Sequence, residues 1–416
     1  MKKMYNSRPI TTNITKNELV KSLNYHGISC KFGISENEIA DFIDDLLTNK
    51  KINKSTIDKI YYELIYFRQH KCCYLSEFEE FGDESFQYGK AMLEKNYGIK
   101  KPFVDFMVAL SRGEKIVALE YCYAEKILDA IKLVFRKEIK TTIEDEIKVR
   151  YAFIPIIIQI PQKRVIVMVN PKRDGAKEKE HVFSHIAKDY LDKIKCIFKL
   201  KWVEIRNKYA QYNHCITLNF TNEICRLAMG NPSELAKEKL AETIELSSKA
   251  IENFLETHMK ITCMSEKRLQ SSLLNIHENI QSVIENAVIS NYIVENGKGI
   301  SANSKIGYIS YIKFHDRTNS LMRMRGEYLK PITDSETFLS LRNDLKKYRE
   351  ISAIRIKWLQ EDMKFDVKYE LENMTTLVLR FYHEFCEGDY NNAIQEYEKF
   401  GQDAVAEVCT VDKVET

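Results

Sequence analysis

The sequence predicts an α+β protein in which mostly helical N-terminal and central regions surround a buried β-hairpin, followed by a C-terminal antiparallel sheet. Two observations support this fold class. Residues 149–170 are the most apolar and β-branched run of the chain. After about residue 299, the apolar residues change from a helical spacing to the alternating spacing of strands. The C-terminal elements are expected in the order β-β-α-β-β.

The predicted hairpin consists of residues 154–160 and 165–169, separated by a polar segment that begins with Pro161. Branched side chains favour strands, and a polar break with a leading proline favours a turn. Because both runs are almost continuously apolar, we expect burial on both faces. Pro155 cannot donate a backbone hydrogen bond, so we expect it at the strand entrance or on a sheet edge.

Helices are expected on both sides of this hairpin. Capping-box patterns at Thr15 and Ser35 begin the first two, and a third is expected from about Ser55. Apolar residues with a period near 3.6 predict three further helices. These cover residues 101–111, 115–137 and 181–209.

Two long helices are predicted between Asn231-Pro232, a favourable pair for starting a helix, and Gly297. We expect them to pack antiparallel, with residues 232–295 forming either an internal core or a surface for a protein partner or homo-oligomer. The chain then divides into four regions. These are a helical region (1–112), an α/β domain around the 149–170 hairpin (113–230), a long helical hairpin (231–298) and an antiparallel-sheet α+β domain (299–416).

Four strands are predicted in the last region, with a helix between the second and the third that a capping box at Thr333 begins. Side chains alternate between the two faces of a strand, so the apolar positions define one face of the sheet. These positions are Ile306, Tyr308, Ile312 and Phe314, then Met322 and Met324, then Ile354, Ile356 and Trp358, and finally Phe365, Val367, Tyr369 and Leu371.

The same alternation places basic residues on the opposite face of the predicted sheet. Such a surface can bind a nucleic-acid backbone or an acidic protein. The alternative is a solvated face held by cross-strand ion pairs. The basic residues are Lys313, Arg323, Arg325, Arg355, Lys357, Lys364 and Lys368, interspersed with Glu327, Asp366 and Glu370.

A second basic stretch follows the hairpin. Residues 164–208 contain 12 Lys or Arg and 6 Asp or Glu, a local net charge of +6. Lys199, Lys201 and Arg206 lie near Trp202 and Tyr209, and basic residues interleaved with aromatic ones suit a phosphate backbone with stacked bases. The alternative is an amphipathic helix with lysines on its solvated side.

Composition and motifs narrow the possible functions. The net charge of +3 means that an acidic partner must be met by a local patch. The ten cysteines include no C-x-x-C pair, so we expect reduced thiols and a cytoplasmic protein. No segment has the length and apolarity of a signal peptide or membrane span. The sequence contains neither phosphate-binding glycine-rich loops nor a G-x-S-x-G motif, and we expect no cofactor.

Two weaker patterns point to metal chemistry. His26, Cys30, His70 and Cys72 offer four ligands from two segments, the number that structural zinc requires. Their spacing matches no common zinc module, and buried thiols with surface histidines are the alternative. Glu146-x-Lys148 has the local pattern of a metal-dependent nuclease, but the second acidic strand position is missing.

From these patterns we expect a non-catalytic subunit that associates with DNA or RNA, or that forms a complex. It would bind through the basic sheet face and the basic helix after the hairpin. The absence of familiar enzyme motifs favours an accessory setting, of which antiviral defence is one. Two alternatives stay open: a metal-dependent nuclease centred on Glu146 and Lys148, and a purely structural protein-protein interaction subunit that uses residues 232–295.

Overall fold

A computed structural model describes residues 16–31, 36–68, 72–97, 114–143, 146–170, 181–230, 234–258, 276–296, 307–315, 321–326, 330–335, 337–338, 341, 345, 350–360 and 363–411. The chain forms two compact units. The first comprises Met1–Tyr209 and Phe365–Gln395, and the second comprises Ala210–Lys364 and Glu396–Thr416. The four regions predicted from the sequence stay a prediction. Helices and a large antiparallel sheet are both present, as expected for the α+β class.

Three helices begin the first unit: α1 (Lys16–Tyr25), α2 (Glu36–Thr48) and α3 (Lys54–Glu63), the last continuing into a π-helical turn, Leu64–Arg68. Asn53 caps α3, because its side-chain oxygen accepts a hydrogen bond from the Thr56 amide at 2.9 Å. The three expected helices are confirmed. Thr15 and Ser35, which were expected to cap the first two, lie outside the described residues.

The remaining elements of the first unit are one helix pair and most of the strands. These elements are β1 (Cys72–Glu77), α4 (Asp83–Tyr97), β2 (Lys115–Ala124), β3 (Ile127–Ile143), β4 (Glu146–Gln159), β5 (Arg164–Val169), α5 (His181–Phe198), β9 (Met363–Leu371) and β10 (Leu377–Phe381). The strands follow the order β2-β3-β4-β5-β1-β10-β9, and every pairing between neighbours in this order is antiparallel.

The predicted helix over 115–137 is wrong, because this segment forms strands β2 and β3. The two strands are joined by a tight turn at Glu125 and Lys126, whose φ angles are +49° and +71°. Paired positive φ angles characterise the turns that connect antiparallel strands. Glycine and asparagine usually occupy such positions, so Glu-Lys gave no turn signal in the sequence. The helix expected over 101–111 lies outside the described residues.

The apolar run at residues 149–170 forms most of β4 and all of β5, which pair with Ile156 opposite Val167. Side chains of Ile154, Ile158 and Val165 are fully buried. The neighbours of these strands are β3 and β1 rather than helices alone, although α5 packs on the same hydrophobic core. The prediction that Pro155 lies at the strand entrance or on a sheet edge is wrong, because it is the tenth of the 14 residues of β4, which lies between β3 and β5. It is opposite Val134 of β3, one residue before the stretch paired with β5, so the missing amide hydrogen falls where that second ladder begins.

The helix expected over 181–209 is interrupted. Helix α5 ends at Phe198, Lys199 adopts a left-handed φ of +52°, and α6 (Arg206–Met229) begins seven residues later. A left-handed residue just after a helix terminates it. The intervening segment pairs with the end of β1 through an isolated bridge between Phe78 and Trp202.

The second unit contains most of α6, followed by α7 (Glu234–His258) and α8 (Ile276–Asn296), which contact each other. These are the two long helices expected from the sequence, whereas Asn231, Pro232 and Gly297 lie outside the described residues. The strands of the second unit are β6 (Gly307–His315), β7 (Leu321–Arg325) and β8 (Ile351–Gln360), in the order β8-β6-β7. The end of α9 (Glu387–Val411) also belongs to this unit.

A buried amide holds three elements of the second unit together. The Asn213 side chain on α6 donates to the Ile351 carbonyl oxygen on β8 at 2.9 Å. It accepts from the Tyr397 hydroxyl on α9 at 2.7 Å. Because buried polar groups are costly when unpaired, this double contact fixes the positions of these elements relative to one another.

All four strands expected after residue 299 are present. Between the second and the third, a 3₁₀ turn (Ile332–Asp334) is described, but most of the expected helix lies outside the described residues. The β-β-α-β-β arrangement therefore stays a prediction. Strand β10 and helix α9 follow, and neither was expected from the sequence.

Candidate nucleic-acid interface

One face of strands β8, β6 and β7 is basic and aromatic. The strand register places Lys313 opposite Arg323, and Tyr311 between Arg325 and Arg355. Residues opposite each other in antiparallel strands share a face. A third row pairs Tyr308 with Lys357. We call this surface the basic face, and its members are Tyr308, Tyr311, Lys313, Arg323, Arg325, Arg355 and Lys357.

A β-bulge determines which residues of β6 belong to the basic face. The register with β8 shifts between Ile309 and Tyr311, so Ser310 is the extra residue. Its carbonyl oxygen accepts a hydrogen bond from the Gly326 amide at 3.0 Å. The prediction that Tyr308 shares a face with Ile312 is wrong, because the bulge interrupts the alternation that the prediction assumed.

The opposite face of the same strands is hydrophobic core. Its members are completely buried. The buried members are Ile309, Ile312, Phe314, Ile354 and Ile356. The basic face is exposed mainly on β7, at Arg323 and Arg325, because Ala353 and Arg355 on the same side of β8 are buried.

Basic residues are concentrated in the three strands of the basic face. Strands β6, β7 and β8 comprise 9, 5 and 10 residues, with five Lys or Arg and no Asp or Glu. Arg323 and Arg325 are exposed, and Lys313 and Lys357 are partly exposed. Arg355 departs from the sequence prediction of a surface cation, because only 5% of it is accessible. Four cations therefore face solvent.

The two tyrosines of the basic face are partly exposed beside these cations. The Lys357 ammonium lies 5.7 Å from the centroid of the Tyr308 ring, within cation–π range. Tyr311 occupies the middle of the row formed by Arg325 and Arg355. Sequence reasoning missed these aromatic residues as members of the site, and the polar Ser310 within an apolar strand was the available signal.

Lys368 lies on β9 in the first unit and does not extend the basic face. Its side chain is 13% exposed and forms an ion pair with Glu370 at 2.5 Å. The side chain of Lys364 and the residue Glu327 lie outside the described part of the chain. The contribution expected from Lys368 is therefore neutralised by a neighbour on its own strand.

The basic stretch after the hairpin, in the first unit, meets acidic residues from β1 and from the loop that follows it. Lys201 is exposed, and its ammonium lies 4.0 Å from the Glu79 carboxylate. Lys199 lies 3.8 Å above the ring of Tyr88. Arg206 is half-buried at the start of α6, where its amide donates to the Met374 carbonyl oxygen at 3.1 Å. The local net charge counted along the sequence is thus reduced by residues distant in sequence.

Glu77 is the acidic residue at the centre of these contacts with the basic stretch. Its carboxylate accepts hydrogen bonds from the Lys208 ammonium at 2.9 Å and the Tyr209 hydroxyl at 2.6 Å, and Arg164 lies 3.5 Å away. Burial by itself raises the pKa of a carboxyl group. The hydrogen bonds from Tyr209 and Lys208 and the nearby charges outweigh it and lower the pKa of Glu77. This cluster is therefore an internal ion pair rather than a free basic surface.

The predicted metal sites receive no support from the described geometry. His26 lies 3.4 Å from Glu63, and the Cys30 amide donates to the Asn24 side chain at 2.8 Å. Cys72 is fully buried, whereas His70 lies outside the described residues. Among the residues that the structure describes, no three His, Cys, Asp or Glu side chains group into a metal site.

The other two alternatives concern residues of which less is described. Glu146 and Lys148 belong to the start of β4, opposite Ile143 and Thr141 of β3, and their side chains are not described. Within 232–295, helix α7 exposes three large apolar side chains, Leu246 (61%), Ile251 (40%) and Phe254 (56%). Use of this region as an interface stays a prediction.

No helix within the described ranges is long and apolar enough to cross a bilayer. Neither the known protein-family models nor the curated proteins contain a match to this chain.

Proposed function

We propose that the chain is a non-catalytic subunit that binds DNA or RNA through the basic face. The observation that supports this function is the concentration of charge. Three adjacent strands carry five cations and no carboxylate, and the reverse side of those strands is core. A polyanion gains from such a surface because each neutralised phosphate releases bound counterions.

The solvated-face alternative requires partners for these cations. Cross-strand ion pairs would need acidic residues opposite the basic ones, yet Arg323 is opposite Lys313, and Arg325 is opposite Tyr311. Like charges in opposite positions of a sheet are destabilising. An anion bound at this row would offset the repulsion between Lys313 and Arg323.

The basic stretch after the hairpin contributes less to this proposal than the sequence suggested. Lys208 lies near Glu77 and Lys201 near Glu79, and of these two lysines Lys201 is the more exposed, at 82% of its side chain against 38%. Exposed ion pairs are weak, so Lys201 stays available to a stronger anion. We therefore assign the principal contact to the basic face.

The test is direct binding of labelled single-stranded and duplex DNA and RNA to the full chain. Substitution of Arg323→Glu together with Arg325→Glu is expected to abolish binding, since it reverses the two most exposed cations. The matched control is Lys237→Glu with Lys239→Glu on α7. It makes the same charge change at the same spacing on exposed residues and is expected to bind like the wild type.

Two results would contradict the proposal. Absence of salt-sensitive binding by the wild type would remove nucleic acid as the ligand. Cleavage of the substrate in Mg²⁺ or Mn²⁺ that Glu146→Ala abolishes would instead establish the metal-dependent nuclease. The accessory or antiviral-defence setting stays a prediction that neither result addresses.

A further inference from the structure

We infer that the basic face recognises single-stranded nucleic acid by stacking unpaired bases on Tyr308 and Tyr311. This inference rests on the proposed function and specifies its substrate class. The cations explain attraction to any polyanion, whereas the tyrosines explain a preference for nucleic acid with unpaired bases.

The bulge at Ser310 is the structural feature that brings the two rings to one surface. Residues three apart on a regular strand face opposite sides, but the extra residue places Tyr308 and Tyr311 together. At about 3.3 Å per residue, their Cα atoms lie roughly 7 to 10 Å apart along β6. Two neighbouring bases of an extended strand can therefore each meet one ring.

Cations flank both rings at distances suited to the phosphates that join such bases. Tyr311 lies between Arg325 and Arg355, and Tyr308 is opposite Lys357. Directly opposite residues have Cβ atoms about 4.5–5.5 Å apart. Since Arg355 is buried, Arg325 and Lys357 are the cations that accompany the rings at the surface.

This combination favours unpaired bases over a duplex or an acidic protein. In a duplex the faces of the bases are stacked on one another, so a ring on a sheet surface reaches only phosphates and edges. Each base that stacks on an aromatic side chain tightens binding by about 5- to 150-fold. An acidic peptide has charge but no flat π-surface, and so engages the cations alone.

The first test uses the wild-type chain. Binding is measured for a 12-nucleotide thymidine strand, for a duplex of the same length and for an abasic 12-nucleotide strand with the same phosphates. We expect the thymidine strand to bind at least about 10-fold more tightly than the abasic strand, because only the former offers bases to stack. Equal affinity of the thymidine and abasic strands would overturn the inference and leave the proposed function standing.

The second test uses variants that keep the charge. Tyr308→Leu and Tyr311→Leu are each expected to weaken thymidine-strand binding by about 5- to 150-fold and to leave abasic-strand binding unchanged. Tyr308→Phe and Tyr311→Phe keep the ring and should bind within about twofold of the wild type. Tyr88→Leu is the matched control, since Tyr88 is a tyrosine beside a lysine outside the basic face.

The outcomes separate the two proposals. If all three ligands fail to bind, the proposed function fails and the inference fails with it. If the strands bind with salt sensitivity but the leucine variants behave like the wild type, only the stacking inference is wrong. Competition by poly-glutamate as effective as that by the thymidine strand would identify the face as a general anion surface and also overturn the inference.

Discussion

Replacement of Glu77 by glutamine tests how the first unit neutralises its own basic segment. The carboxylate is 13% exposed and accepts two close hydrogen bonds, from Lys208 at 2.9 Å and Tyr209 at 2.6 Å. Glutamine keeps the shape but removes the negative charge that lies 3.5 Å from Arg164. Loss of one partner from a buried pair costs about 3–5 kcal/mol. Lys208 is 38% exposed and regains water, so we expect a loss of about 2–3 kcal/mol at neutral pH.

The pH dependence follows from the lowered pKa of Glu77. A carboxyl whose pKa is lower in the folded protein contributes stability above its unfolded value, here about 4.5. That contribution is lost as the pH falls through the folded pKa. The difference between the wild type and Glu77→Gln should therefore be constant from pH 7 to about pH 5 and decrease below pH 4.5.

Urea unfolding at several pH values measures this difference, and hydrogen exchange of residues 201–209 localises it. The Val203 amide donates to the Glu77 carbonyl oxygen at 2.9 Å, so protection of this segment reports on the cluster. Glu79→Gln is the matched control, because its carboxylate is 57% exposed and 4.0 Å from Lys201. An exposed pair of this kind contributes less than about 1 kcal/mol. If the two variants have the same stability, the account of Glu77 is refuted.

Two further substitutions test other parts of the fold. Lys132 donates to the Tyr62 hydroxyl at 2.6 Å and to Glu387 at 3.2 Å, while burial and the Glu387 charge raise the pKa of Tyr62. Lys132→Met is expected to lower the free energy of unfolding in urea by about 1–3 kcal/mol, because the partners of Lys132 lose a hydrogen-bond donor. The control Lys188→Met, at an exposed position of α5, should have no effect. Equal losses in the two variants would contradict a stabilising role for Lys132. Gly307 has a φ of +145°, and a Cβ atom there would collide with the Lys357 carbonyl oxygen. Gly307→Ala should disturb the β6–β8 register and weaken nucleic-acid binding at least about tenfold. The control is Gly82→Ala, since a Cβ atom at Gly82 has no atom within 4 Å. Unchanged binding by Gly307→Ala would contradict the dependence of binding on this register.

The sequence predicted correctly those elements whose apolar residues fit either the helical or the strand spacing, but not both. The apolar runs of β4 and β5 and the faces of α1 to α3 were found, because burial and periodicity agree there. The strands β2 and β3 were missed, since Ile131 and Val134 also fit a helical spacing and the turn at Glu125 and Lys126 lacks the usual residues.

Only part of the basic face could be predicted from the sequence, because the rest depends on how strands pair and pack. Alternation correctly grouped Lys313, Arg323 and Arg325 on one face. It misplaced Tyr308, because a bulge depends on how two strands pair and leaves little trace in one of them. It also counted Arg355 as a surface cation, although its exposure depends on tertiary packing. The neutralisation of Lys208 by Glu77 joins residues 131 positions apart, which a local charge count does not detect.

The salt dependence of single-strand binding tests most directly whether the basic face is a nucleic-acid surface. Four solvent-facing cations that each neutralise a phosphate predict a slope of about −3 in a plot of log affinity against log salt, or about a 50-fold loss between 50 and 200 mM. Removal of two charges by Arg323→Gln with Arg325→Gln should reduce the slope to about −1.4 and the loss to about sevenfold. Identical slopes for the wild type and this variant, or binding that salt does not weaken, would contradict the assignment of the basic face.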